Sequence, residues 1–328
     1  MVYPSRRQML VLATAAAGAT LARRAQAQAQ AWPTRAITLV VPYTAGGSSD
    51  IGARLLNGEL GRQLGQNVVV DNVGGAAGAL GVQKVARAPA DGHTLLMGSL
   101  SECLLVPLAN PAAGYRPEDL LPVALTGASP AVFVTRADFP AQTIDEFIAL
   151  ARRHPGRYTY GSPGVGTFQH VMGETFKARA GLYMVHIPYR GAPQVLQDVM
   201  GGQIDIGITT IPSVAGFVAA GKMKVLGVST AARHPALKTA QAFGESAPLK
   251  GLELSTWAMV YAPAGTPEAV AQKLNTTINA ISTSAALVEA RTRLGADLPA
   301  VLTLAQARAW VQAERDKYAP VIKGLKLE

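Results

Sequence analysis

Four times along this chain an apolar, β-branched run breaks at glycine or proline and small polar residues, then passes directly into a helical pattern. The stretches are VVPYTAGGSSD (40–50), VVVDNVGGAAGALG (68–81), YGSPGVGTFQH (160–170) and IPYRGAPQ (187–194). A strand that turns into a helix cannot pair with its successor through a hairpin. It needs a crossover, so the repeated unit commits the chain to a mostly parallel sheet with helices on its faces.

The rest of the periodicity agrees. ITLVVPY, NVVVDN and HTLLMGS read as strands, with helices over 51–64 and 79–88 between them. After VALTGASPAVFVTR a second series begins with a helix from Ile144 to about Arg153, opened by a Thr143/Glu146 capping box. It continues through RYTYGS, helix 168–180, YMVHIPY, helix 192–200, QIDIGITT, helix 212–220 and KMKVLGVST. An irregular stretch, 231–251, precedes LELSTWAMVYAP. The chain then turns helical, from a Thr266 cap with Pro267 at the first position, through 285–293, to a last helix over 304–318.

This pattern predicts an α/β fold of two lobes joined by two extended crossings. Residues 32–130 plus 256–328 would form one lobe and 131–255 the other, with a ligand cleft between them. Open α/β sheets bind ligands outside the carboxyl ends of their strands, where the four glycine-bearing loops lie.

Residues 1–31 are set apart from that fold. Arg6 and Arg7 precede a short apolar stretch, Met9 to Ala22, and AQAQAQAW offers small-x-small cleavage sites, the last after Ala31. This reads as an export signal too short to span a bilayer, and SRRQML gives it a twin-arginine look. The leader carries four arginines and no acid, so its removal lowers the net charge from +9 to +5. The remaining cations are scattered and aromatics make up only 6% of the chain, which argues against nucleic-acid binding. Cys103 is the only cysteine, so no internal disulfide is available, and its apolar neighbourhood, LSECLLVPL, marks it as a small buried hydrophobe.

At each junction glycine lets the backbone turn and approach a ligand, while the first turn of the helix offers unpaired N–H donors and a partial positive charge. Such ends suit anions. Nucleotide phosphate is a poor fit, because no loop has the Gly-Lys-Ser/Thr that a P-loop needs and GGAAGALG is only loosely like a dinucleotide fingerprint. A carboxylate needs only a few convergent donors. About four charge-assisted hydrogen bonds at roughly 1.5–3 kcal/mol each give about 6–12 kcal/mol gross, against about 8 kcal/mol net for micromolar binding. Exclusion of water by lobe closure must supply the remainder.

VVPYTAGGSSD, VVVDNVGGAAGALG, PADGHTLLMGS, YGSPGVGTFQH, HIPYRGAPQVLQDVMGGQIDIG and W-AMVYAPAGTP resemble, in that order, the Bug-type periplasmic receptors of tripartite tricarboxylate transporters. The resemblance covers nearly all of residues 32–328. It implies a periplasmic-binding-protein clamshell that captures a small carboxylate and delivers it to a membrane permease of one large and one small subunit. It implies that Tyr43, Ala45, Gly46, Gly47, Ser48 and Asp50 grip the carboxylate from the first lobe. The second-lobe counterpart is Ser162, Gly164, Gly166 and Thr167, with Pro188, Tyr189, Gly191 and Ala192 beside it. No cofactor or metal is implied, no nucleic-acid partner is expected, and the protein is expected to act as a monomer. Two departures from the family pattern bear on the ligand. Val73 and Ala77 replace a charge and a glycine in the second loop, and Ala258-Met259 follows Trp257 where glycine is common.

Several of these residues also have purely structural readings. Gly46 and Gly47 make a turn, and Ser49 or Asp50 suits a helix N-cap, the more so because a carboxylate facing an anionic ligand would repel it. His170 reads as a packed or capping histidine, and Asp205 as a residue that orders a strand entrance. Arg190 either pairs with a distal ligand carboxylate or is solvated at the cleft rim. A secreted α/β enzyme is disfavoured, since the chain has no G-x-S-x-G elbow, no H-E-x-x-H and no Cys/His spacing for zinc, while a receptor whose liganded form docks on a sensor protein instead of a permease would have the same cleft chemistry.

Overall fold

A computed structural model describes residues 32–325. The expected leader and its cleavage site lie outside the described residues. In chain order the main elements are β1 (Ile37–Val41), α1 (Ser48–Leu64), β2 (Val68–Asn72), α2 (Ala79–Ala86), β3 (Thr94–Ser99), α3 (Val106–Ala109) and β4 (Leu120–Arg136). There follow α4 (Ile144–Arg153), β5 (Thr159–Ser162), α5 (Phe168–Ala180), β6 (Val185–Pro188), α6 (Ala192–Met200), β7 (Ile206–Thr210), α7 (Ile211–Ala219), β8 (Met223–Val228) and β9 (Gln241–Ala242). The chain ends with β10 (Ser255–Pro263), α8 (Glu268–Ser282), α9 (Ala285–Arg293) and α10 (Leu304–Gly324). Among the described residues no helix is long and apolar enough to cross a membrane.

The strands run β2-β1-β3-β10-β4-β7-β5-β6, with β8 pairing β4 and β9. β1 pairs in parallel with β2 and β3, and β5 in parallel with β6 and β7, as the strand–loop–helix rhythm requires. The two crossings are the antiparallel members. β4 pairs with β10 as far as Pro130, then from Ala131 with β7 and from Val132 with β8. One long strand therefore runs through the sheets of both lobes, and β10 lies beside its first half, between it and β3.

Helices cover both faces of the first sheet, which is why β1 is apolar at every position but Thr38. Ile37, Leu39 and Val41 pack with Leu56 and Leu60 of α1 and Leu274 and Ile278 of α8. Val40 faces the other way, into a core with Val82 and Val85 of α2. The second lobe repeats the scheme. Val132 and Val134 pack on Val195 and Val199 of α6, while the Phe133 ring lies 4.7 Å from Phe176 and 5.4 Å from Phe243.

Several helix ends differ from the sequence expectation, α2 stopping at Ala86 and α7 running one residue early at both ends, and three of the differences have a local cause. α1 begins at Ser48, three residues early, because Gly47 occupies the N-cap position in extended backbone. α8 begins at Glu268 with Pro267 as its cap residue, since the Thr266 hydroxyl donates to Pro263 O at 2.8 Å and closes a turn instead of capping the helix. α10 continues past residue 318 through Pro320 to Gly324. Proline there removes one hydrogen bond close to the helix end, where little of the helix remains to be disrupted.

Candidate functional site

The loop after β1 carries the most complete anion-binding geometry. Gly46 has φ +87°, a left-handed conformation that favours glycine, and it swings the chain into the first turn of α1. The first i to i−4 bond of the helix runs from Ile51 N–H to Gly47 O at 2.9 Å. The N–H groups of Gly47, Ser48 and Ser49 have no acceptor among the described residues. All three residues line a cavity of about 110 Å³ between the lobes, room enough for a small acid or several waters.

Asp50 fixes this loop from behind. It is buried, takes the Gly46 N–H at 2.9 Å and the Asn72 amide at 3.1 Å, and pairs with Arg54 at 3.0 Å. Burial alone would raise its pKa, but the bonds from Arg54, Gly46 N–H and Asn72 outweigh that and hold the carboxyl below its ordinary range. Asp50 does not line the cavity, and neither do Ala45 and Gly46. Tyr43 does line it, and its hydroxyl donates to Glu102 at 3.0 Å and to Ala77 O at 3.2 Å.

The loop after β5 is built differently. Thr167 caps α5, its hydroxyl accepting from His170 N–H at 3.4 Å and donating to Gly164 O at 2.7 Å. Gly166 N–H goes to His170 Nδ1 at 3.1 Å, and Gly164 N–H to Ser162 Oγ at 3.2 Å. Phe168 N–H crosses to Ser101 Oγ of the first lobe at 3.0 Å. The donors of this loop are thus largely occupied by protein acceptors. Ser162, Gly164, Gly166 and Thr167 stay outside the cavity, to which this loop and α5 contribute Pro163 and Gln169.

In the loop after β6, Ala192 reaches the cavity and Gly191 does not. A Cβ built on Gly191 would lie 2.2 Å from Thr44 Oγ1, so here the two lobes touch backbone to side chain. Gly164 makes a similar approach to Ala77, 3.0 Å from a built Cβ to the Ala77 Cβ. Pro188, Tyr189, Gly164 and the exposed Arg190 line a second, wider cavity of about 940 Å³. The Tyr189 hydroxyl is held by Asp198 at 2.6 Å.

Sequence reasoning passed over most of the other residues that line the first cavity. Its floor is the pair of crossing strands, with Thr126, Gly127, Ala128 and Ser129 on β4 and Thr256, Trp257 and Ala258 on β10. The signal was present in LTGASP, since a glycine among small residues inside a strand marks a place where something approaches the backbone closely. A Cβ on Gly127 would meet nothing within 4 Å. Ser99, Ser101, Thr209 and Thr210 add hydroxyls, and Arg291 of α9 adds the one charged side chain on the lining.

Glu102 sits beneath this lining, fully buried. The hydroxyls of Ser99 (2.6 Å) and Tyr43 donate to it, as does Ser99 N–H. Burial pushes its pKa up to about 7, against the lowering effect of those donors. A folded-state pKa above the unfolded value means that stability present below about pH 4.5 is lost as pH rises through about 7. Glu102→Gln should therefore melt with the parent at pH 4.5 and be more stable at pH 8 by about 3 kcal/mol, read from chemical denaturation at the two pH values. A variant less stable at both would mean that the carboxylate is not the costly group. Cys103, next in the chain, is buried, and desolvation raises its thiol pKa well above the ordinary value.

The chain matches the family described as tripartite tricarboxylate transporter family receptor over residues 52–327. It is 34% identical over 317 residues to the protein BugT of Bordetella pertussis, covering 94% of this chain and 96% of that one. Two solved structures from Rhodopseudomonas palustris superpose closely. One, determined with adipate, gives a TM-score of 0.85 at 32% identity over 89% of this chain and 97% of its own. The other, MatC with bound malate, gives 0.84 at 28% identity over 89% and 100%.

Proposed function

The chain belongs to the tripartite tricarboxylate transporter receptor family, and from that premise we propose that it is a periplasmic receptor that closes its lobes on a small carboxylate and hands it to a membrane permease of one large and one small subunit. The observation that carries this reading is the row of unpaired N–H groups at Gly47, Ser48 and Ser49, which open a 17-residue helix onto a cavity between the lobes. Those donors and the helix dipole favour an anion without any cofactor. Hydroxyls of Ser101 and Thr210 complete a polar lining suited to carboxylate oxygens.

On this reading residues 32–130 and 256–328 form the first lobe and 131–255 the second. Tyr43, Gly47, Ser48 and Ala192 touch the ligand. Ala45, Gly46 and Asp50 shape the first loop, and Ser162, Gly164, Gly166, Thr167, Pro188, Tyr189 and Gly191 form the opposing wall that meets it on closure. The protein is a monomeric carrier of its ligand and not an enzyme. The adipate and malate in the related structures support the carboxylate class.

The test is a thermal-shift screen of the exported protein against mono-, di- and tricarboxylates, amino acids and nucleotides, followed by calorimetry, since a ligand that binds only the folded form raises the melting temperature. A carboxylate is expected to bind, and Gly47→Val to weaken it by about tenfold or more by crowding the donors. Binding of nucleotides alone, or of no carboxylate by a protein purified without retained ligand, would refute the reading.

A further inference from the structure

Among the described residues Arg291 is a buried cation without a counterion. It is 4% exposed, and its hydrogen bonding among the described residues is a single bond from Nη1 to Ser282 O at 3.2 Å, at the end of α8. A guanidinium carries five N–H donors, so most of its capacity is unused. No Asp or Glu lies within ion-pair distance of it among the described residues, although other arginines and lysines of the chain are so paired. Arg291 also lines the same cavity as Gly47 and Ser48, and its spare nitrogens are not sealed off by protein.

An unpaired charge held away from water is costly, and the cost is recovered when an anion arrives. Burial lowers the pKa of Arg291 only to about 10, so the group stays cationic at neutral pH. The cavity therefore has two separate anion-binding features. One is the set of neutral main-chain donors at the start of α1, and the other is a full positive charge from α9. Among the described residues no acidic side chain lines the cavity to neutralise that charge.

We infer that Arg291 takes a second acid group of the ligand and so selects diacids over monoacids of the same length. This rests on the receptor reading above and adds to it a specificity-determining residue from the C-terminal helices. Arg190 is not needed for that role, being exposed at the wider cavity. The planar fork of arginine suits a carboxylate held in two-point contact, and lysine would keep the charge but lose that geometry.

The experiment pairs each unbranched α,ω-dicarboxylate of four to eight carbons, approximate limits for a cavity of this size, with the monocarboxylate of equal carbon number. Affinities are measured by calorimetry on the exported parent, Arg291→Lys and Arg291→Met, after the melting temperature of each has been recorded without ligand. In the parent, at least one diacid is expected to bind about tenfold or more tightly than its monoacid partner. Arg291→Met is expected to bring that ratio close to one, and Arg291→Lys to keep part of it. If Arg291→Met does not fold, Arg291→Lys decides through the same ratio.

Equal loss of diacid and monoacid binding, or a diacid preference that survives in Arg291→Met, would make Arg291 only a brace between α8 and α9 and would overturn the inference while leaving the carboxylate receptor intact. Tighter monoacid binding by the parent would overturn it in the same way. Absence of any carboxylate binding would overturn the receptor reading and this inference with it.

Discussion

Gly191→Ala is expected to weaken ligand binding about a hundredfold, and Thr44→Ala in the same chain to restore most of it. The added Cβ would lie 2.2 Å from Thr44 Oγ1 and 3.5 Å from Thr44 Cβ. The first distance forbids the closed contact, and the second is an ordinary one. Overpacking of this kind costs about 1–3 kcal/mol or more, which lobe closure would have to supply from binding energy. Thr44 Oγ1 is buried with no hydrogen-bond partner among the described residues, so removing it sacrifices no bond seen there. The backbone of Gly191 is extended, with φ 176°, and accepts alanine without strain. Both single variants should therefore fold. Calorimetry on the four proteins of the cycle reads the coupling directly. Unchanged affinity in Gly191→Ala would mean that ligand is held without this contact, and failure of Thr44→Ala to rescue would place the damage elsewhere in the loop.

The second large effect is an acid one. His170 and His186 stack with ring centroids 3.9 Å apart, and Tyr160 lies on His186 at 4.8 Å. Gly166 N–H and Ser162 Oγ engage their ring nitrogens, the latter at 2.7 Å. Burial lowers both pKa values, to about 4 for His170 and about 3 for His186. Lys177 pushes in the same direction, His170 adds to the difficulty of charging His186, and Glu174 partly opposes at His170. The unfolded chain takes up protons near pH 6.5 and the folded one does not, so stability is full above that pH and falls as pH drops toward 4 and 3. The loss is on the order of 3 kcal/mol per ring by pH 4.

His170→Asn with His186→Gln keeps an acceptor toward Gly166 and a polar partner for Ser162 while removing the titration. The double variant should lose far less stability between pH 7 and pH 4.5 than the parent, in melting followed by circular dichroism. Parallel pH curves for the two proteins would show that the stack does not govern acid sensitivity.

How much of this was legible beforehand depends on how local the cause is. The strand–loop–helix rhythm fixed the elements because each rests on its own periodicity, and β4 and β10 were recognisable as the two long crossings. Helix ends were missed where a neighbour intervened, as when Thr266 turned its hydroxyl to Pro263 instead of to the helix. The free N–H groups of the loop after β1 were readable because they are local to VVPYTAGGSSD. The loop after β5 has the same composition, but its N–H groups find partners in His170, Ser162 and Ser101, two of them fixed by the loop's own fold and the third by lobe contact. Composition cannot reveal which donors are already occupied. Arg291 was invisible for a related reason: it lies in a short, weakly patterned helix far along the chain, and only the fold brings it to the cavity beside Gly47.

Ala76 and Ala77 show the same limit from another side. Both adopt positive φ, +47° and +53°, between Gly75 and Gly78, which do so as well. For a residue with a Cβ this conformation costs roughly 1–2 kcal/mol. Although Ala77 stands where the family has glycine, the loop keeps the left-handed path and carries the strain where it meets Gly164.

The place of β10 in the sheet has a consequence for how the molecule comes into being. Strand β3 finds its second neighbour only in residues that lie beyond the whole of the other lobe, since Ser99 pairs with Ala258 and Gly98 with Met259. The second lobe's strands, from Ala131 to Ala242, form one continuous run of chain and have every partner at hand. The first lobe waits with an open edge until the last strand is available. A product truncated before Ser255 therefore has the glycine loop of β1 and the capped helix of β5 but half the floor between them, and the cleft is the last part of the protein to exist.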